Sequence, residues 1–352
     1  MEAVQNKNSL KSLQVVRAGA IILVVLHHVY NLLLNYHNID SPIFSPFKYG
    51  DMGVDLFFVL SGFIIFYVHQ KDFGNKSIFK RYAYKRITRI IPLYWMVTVV
   101  FLCFVMFDRS IIHIINSFLL IPSSEQPVVG VAWSLQHELL FYLIFGLLIL
   151  NKKIFMPFVV IWTMLMLITF IFSIEFSNAM LALIFSPLNL EFLFGCAVAY
   201  IYMKKPFADL SILALIGSIY IMGMWIYQMF TNVEINHVIS WGIPAALLIL
   251  GLVNLEEKGK FSAPKLLVYL GDASYSIYLI HVTIILIFEK LMIRIGLYEF
   301  PLVIQLIAVV ASIASITGGC LLYNIVEKPS QRFFRSKLSN ISGKKSKPSI
   351  AR

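Results

Sequence analysis

Ten apolar windows of about 20 residues recur along this chain, each long enough to cross the roughly 30 Å hydrocarbon core of a bilayer. They fall at 13–34, 53–69, 88–107, 130–150, 154–173, 180–202, 210–230, 236–254, 271–293 and 300–326. An ordinary soluble domain is about 45–50% apolar and about 25% charged. Here the shares are 59% and 13%, with a mean hydropathy of +0.81. The expected fold is an all-α, polytopic membrane helix bundle of about ten transmembrane helices. The polar start (MEAVQNKNSLKS) and the length of the first run fit an uncleaved first span rather than a signal peptide.

The formal net charge of +11 is a topology signal. With the N-terminus placed in the cytoplasm, the inside segments carry Lys7, Lys11 and the cluster Lys71, Lys76, Lys80, Arg81, Lys85, Arg86 and Arg89. They continue with Lys152, Lys153, Lys204, Lys205, Lys258, Lys260, Lys265 and a basic tail. Only Lys48, Arg109, Lys290 and Arg294 remain outside. That asymmetry follows the positive-inside rule, puts both termini in the cytoplasm and argues against a nucleic-acid partner. Residues 1–329 then form the membrane domain, and 330–352 a mobile basic tail suited to anionic headgroups. Residues 76–87 fit an interfacial helix leading into span three. The outer loops 35–52 and 108–129, rich in Pro, Ser and Asn, fit ordered turns over a cavity. The three cysteines fall inside spans at irregular spacing and suggest packing rather than a disulfide or metal site. No internal repeat is visible, which weighs against transporter folds built from two related halves.

Polar residues inside lipid are costly and mark function. Arg17 and His28 lie in the first span, eleven residues and about 16 Å apart on one helix face. His27 adjoins His28. Asp55 and Ser61-Gly62 lie in span two. Arg86 and Arg89 are neighbours at i and i+3, ahead of Pro92. Trp133, Ser134, His137, Glu138 and Tyr142 fall in the outer half of span four, and His281 in span nine. Each has a structural reading as well. The two arginines serve as cytoplasmic anchors, Ser61-Gly62 as a small-residue packing site, the tryptophans as interface aromatics, and His281 as a core histidine. Glu138 resists such a reading, because a carboxylate at that depth needs a partner or a proton.

Together these residues resemble the acyltransferase-3 family of bacterial integral-membrane acyltransferases. The basic residue, ten others and a histidine match Arg17 and His28. Gly-Val-Asp-x-Phe-Phe with Ser-Gly-Phe matches Gly53 to Phe63. Arg-x-x-Arg followed by proline matches Arg86, Arg89 and Pro92. Trp-Ser-Leu-x-x-Glu with a later tyrosine matches Trp133, Ser134, Glu138 and Tyr142. Ser-Tyr-x-x-Tyr-Leu-x-His matches Ser274, Tyr275, Tyr278 and His281, and Glu-x-Pro matches Glu327 and Pro329. One departure stands out: many members carry two consecutive carboxylates in the fourth motif, and here the second position is Leu139.

The compact form, without the fused hydrolase-like domain of some relatives, resembles members that acetylate exopolysaccharide or its lipid-linked precursors. The resemblance implies an O-acetyltransferase of the bacterial inner membrane. Acetyl-CoA is the implied donor, no metal is needed, and a polysaccharide or lipid-linked sugar hydroxyl is the acceptor. Arg17, Arg86 and Arg89 suit the donor phosphates. His28 suits the general base or a transient acetyl carrier. Glu138 is expected to orient the His28 ring, with Ser61, Trp133, Tyr142 and His281 lining the acceptor site. The competing class is a proton-coupled transporter or flippase using the same residues as a proton relay.

Overall fold

A computed structural model of the protein describes residues 10–37, 39, 41–105, 110–204, 209–297 and 300–341. Among these residues there is no strand. Ten helical stretches are long and apolar enough to cross a membrane, one for each window of the sequence. In chain order the helices are α1 Lys11–His37, α2 Met52–His69, α3 Lys76–Phe104, α4 Ile111–Leu119, α5 Trp133–Leu150, α6 Lys152–Ile171 and α7 Ala179–Ile184. They continue with α8 Asn189–Lys204, α9 Ile212–Thr231, α10 Ile243–Glu257, α11 Lys265–Arg294, α12 Pro301–Leu322 and α13 Lys328–Ile341.

The boundaries differ from the sequence expectation in four places. Residues 76–87 are not a separate interfacial helix: α3 runs unbroken for 29 residues, started by the Asn75 side chain accepting from Ser77 N. Loop 108–129 contains α4, capped at Ser110 and closed by Leu120 at a φ of 54°. Span six is split, because Ser186-Pro187 follows α7 and Pro187 cannot continue its hydrogen-bond ladder. The tenth window passes through a π turn, Tyr323–Glu327, into α13. The first part of the basic tail is therefore helical, while 342–352, Lys7, Arg109 and Lys205 lie outside the described residues.

α1, α2 and α11 form the centre. α2 packs along α8, α11 along α1 and α12, and α9 along α10. Within the apolar window of the α2 span 61% of residues are buried, against 17% in α6 and in α9. The outward faces of α6 and α9 carry exposed Ile154, Phe158, Ile161, Leu215, Ile219 and Phe230, as lipid-facing helices must.

The α2–α8 crossing depends on two glycines. A Cβ on Gly62 would lie 1.9 Å from Phe192 O, and one on Gly195 would lie 2.0 Å from Val59 O. The backbones touch there, as in small-residue membrane crossings. Gly62→Val pushes against a carbonyl rather than a flexible side chain. It is expected to destabilise at or above the upper end of the usual overpacking range of about 1–3 kcal/mol. Thermal melting of the purified variant in detergent checks this, and a wild-type melting curve contradicts the crossing.

Basic segments gather at one end of the bundle. There the amides of Lys11 and Ser12 donate to Glu256, Lys258 pairs with Asp209 at 2.6 Å, and Lys152 lies over Phe73. Arg17 is six residues into α1 from this basic end, and His28 is about 16 Å farther along the same helix.

Candidate active site

α1, α2, α3, α5 and α11 enclose a cavity with about 740 Å³ of empty space, part of it open to the exterior. Its wall carries Arg17 from α1, Ser61 from α2 and Arg86 with Arg89 from α3. α5 contributes Ser134, Glu138 and Tyr142, and α11 contributes Ser274, Tyr275 and Tyr278. Helical spacing sets these groups side by side. Glu138 and Tyr142 are at i and i+4, so the phenol donates to Glu138 Oε1. Ser61 Oγ donates to the same oxygen at 3.3 Å.

The arginines are held without being neutralised by contact. Arg17 Nε and Nη2 donate to Ser274 Oγ at 3.1 and 2.8 Å. The Arg86 guanidinium lies 5.6 Å from the Tyr82 ring centroid and 5.3 Å from that of Tyr142, a cation–π arrangement. Its Nε is buried with no hydrogen-bond partner. Arg17 lies within the field of Arg89, and both interact electrostatically with Glu138 and Glu327. Yet among the described residues none of the three guanidinium groups is within ion-pair distance of a carboxylate. Glu327 ends the π turn after α12, whose wide helical turn re-aims the residues that follow. It accepts from Ser276 and from Gln331 Nε2.

His28 and His281 stand beyond Tyr278. Their rings are 4.8 Å apart and edge-on, with His281 Nε2 3.3 Å from His28 Nδ1. His28 Nδ1 also lies 2.9 Å from Val24 O. Tyr278 stands 5.9 Å from His281, its hydroxyl donating to Val131 O at 2.8 Å and lying 2.7 Å from Ser134 Oγ.

The sequence-derived residues therefore separate into two groups. Arg17, Arg86, Arg89, Ser61, Glu138 and Tyr142 converge on the cavity. His28 pairs with His281, which is fully buried behind it. Trp133 stands off the cavity wall, edge-on to Phe58 and His137. The expected contact of Glu138 with His28 is not made: the carboxylate turns to Tyr142 and Ser61 among the arginine charges, and the imidazole turns to α11. The neighbouring histidines are satisfied elsewhere. His27 uses Nδ1 on Lys48 O and Nε2 on Asn31, both at 2.8 Å, and His137 Nδ1 meets Asn189 Oδ1 at 2.9 Å. Leu139 packs against the main hydrophobic cluster.

Asp55, on α2, lies off the cavity in a second polar group. It hydrogen-bonds His237 at 3.2 Å and interacts with buried Glu191. Nε2 of the His237 imidazole lies 3.8 Å from Asp51 Oδ2. Ser274, Tyr275, Tyr278 and Glu327 were visible in the sequence only as parts of motifs. The spacing Ser274, Tyr275, Tyr278 (i, i+1, i+4) is the signal that could have placed them on one inward face.

Against known families, the acyltransferase-domain model of the acyltransferase-3 family matches residues 10–324. The chain belongs to the acyltransferase-3 family. It is also 28% identical over 319 residues to the "Exopolysaccharide production protein ExoZ" of Rhizobium meliloti (strain 1021), covering 83% of this chain and 92% of that one. It is 27% identical over 317 residues to the "Putative acetyltransferase ORF330" of Acidianus two-tailed virus, covering 81% of this chain and 88% of that one. No solved structure gives a significant match. Family membership, together with the ten spans, makes this acyltransferase-3 protein a multi-pass membrane acyltransferase and decides against the transporter class. Among the described residues no cluster of His, Cys, Asp or Glu is arranged to hold a metal ion.

Proposed function

We propose that this protein transfers an acetyl group from cytoplasmic acetyl-CoA to a hydroxyl of a surface polysaccharide or its lipid-linked precursor, in a bacterial inner membrane with both termini inside. The observation that carries the reading is the convergence of Arg17, Arg86 and Arg89 on one cavity, with no ion pair to any of them among the described residues. Three guanidinium groups so placed, one with a buried and unpartnered Nε, fit a multiply charged phosphate ligand and would be costly without one. The acceptor class is supported by the relative named for exopolysaccharide production, and the acetyl group by the relative named as an acetyltransferase.

In this reading the donor's phosphates rest on the three arginines and its thioester reaches toward His28. Nε2 of His28 takes the proton from the acceptor hydroxyl as its oxygen attacks the thioester carbonyl. The carbon–sulfur bond breaks, and the proton passes to the departing sulfur, giving free CoA and an ester. Glu138 balances the arginine charge and fixes Tyr142 and Ser61, which line the route. Membranes containing the protein, incubated with acetyl-labelled acetyl-CoA, are expected to release alkali-labile label from the glycan fraction. Label that stays in the donor, with glycan present, overturns the reading.

A further inference from the structure

We propose that His281 is the positioning residue for His28, fixing its ring with the hydrogen on Nδ1 so that Nε2 is left as the proton-accepting lone pair. This rests on the reading of His28 as the base of acyl transfer. His281 is fully buried, so its polar contacts are with protein alone. Its Nδ1 lies 2.8 Å from Tyr278 O and 3.2 Å from Ile277 O. A carbonyl only accepts, so that nitrogen carries a hydrogen. A neutral imidazole has one such hydrogen, and Nε2 of His281 is therefore an acceptor.

The acceptor faces His28 Nδ1 at 3.3 Å, and on the other side of that nitrogen Val24 O stands at 2.9 Å. With two acceptors against it, His28 Nδ1 must hold the hydrogen, which it shares between them. The tautomer follows from this network rather than from an observed proton. The reverse arrangement, with His281 donating, would set the His28 lone pair against the Val24 carbonyl. Nε2 of His28 makes no hydrogen bond among the described residues, and the residue is half-buried.

When Nε2 takes a proton, the ring becomes cationic and its Nδ1 hydrogen already has both acceptors in place. In a Ser-His-Asp triad a buried carboxylate does this work. Here a neutral imidazole does it, and Glu138 remains with the arginines. No atom has to move at the moment of proton transfer, which is the condition under which fixed dipoles contribute most.

The test is nitrogen NMR of the full-length protein, labelled with 15N-histidine and held in lipid nanodiscs, the His28 signals being those lost in His28→Gln. The expected wild-type spectrum has His28 protonated at Nδ1 and bare at Nε2; a hydrogen on Nε2 overturns the proposal whatever the activity. His281→Phe is expected to release a mixture of His28 tautomers. It should also lower kcat for acetyl-CoA turnover on the order of 10²-fold with KM for acetyl-CoA unchanged. His281→Gln, whose amide oxygen can accept, is expected to recover at least about tenfold of that loss. A His281→Phe protein that keeps a single Nδ1-protonated His28, or a Gln variant no better than Phe, also overturns it. Absence of acetyl transfer by wild-type membranes speaks against the proposed function and leaves the tautomer to be judged by the spectrum alone.

Discussion

His28→Ala is expected to lower acetyl transfer by about 10²–10⁴-fold, the usual contribution of a positioned base, while the protein still inserts and binds its donor. Alanine is the best helix former, so α1 continues through the change. The ring removed packs edge-on against His281, and its loss leaves the buried His281 Nε2 without a partner, at a cost of about 1–3 kcal/mol. That weakens the fold without unmaking ten packed spans. Arg17 stands about 16 Å away along α1, and Arg86 and Arg89 are on α3, so donor protection against thermal unfolding should match wild type. The measurement is labelled ester formed per inserted protein, alongside the melting shift given by acetyl-CoA. Wild-type ester formation removes His28 from the mechanism; loss of both ester and donor shift shows that the substitution disturbed the cavity.

The bundle was legible in the sequence because apolar length alone dictates a span in lipid, and all ten windows became helical stretches. Boundaries were less legible, since α3 and α11 extend beyond their apolar windows into polar turns that hydropathy cannot count. Arg17, Arg86 and Arg89 could be grouped from charge and helical position, and they meet at one cavity. Ser61, the partner of Glu138 on another helix, could not be found in this way. Sequence gives the depth of a residue along its own helix but not the rotation of that helix against its neighbours. Glu138 and His28 lie at similar predicted depths and face different partners. Ser61 and Gly62 carried two competing readings, a site and a packing contact, and adjacent residues satisfy them separately: Ser61 lines the cavity and Gly62 makes the crossing. Glu327 reaches Ser276 through a π turn, and no periodicity in the sequence announces that change of phase.

Removing one guanidinium should act on the donor's phosphates rather than on its acetyl group. Arg17→Ala and Arg89→Ala are each expected to cost about 1.5–3 kcal/mol, the worth of a hydrogen bond to a charged group. At about 1.4 kcal/mol per tenfold, this is a fall of roughly 10- to 150-fold in kcat/KM for acetyl-CoA. Lysine at either position should restore only part of the loss, because a single ammonium cannot offer the planar fork of donors that grips phosphate. The two variants differ in what they leave behind. Without Arg17, Ser274 Oγ loses its two contacts; without Arg89, Arg17 is freed from the repulsion of a like charge. Arg89→Ala should therefore be the better folded, and it is the cleaner probe. Acetyl-pantetheine, which carries the thioester but no phosphate, separates grip from chemistry. With that donor the wild type should fall below the level that the Arg89→Ala variant reaches with acetyl-CoA, because all three arginines lose their ligand, and the substitution should make little further difference. An equal loss with both donors would place Arg89 in the transfer step and end its assignment to phosphate.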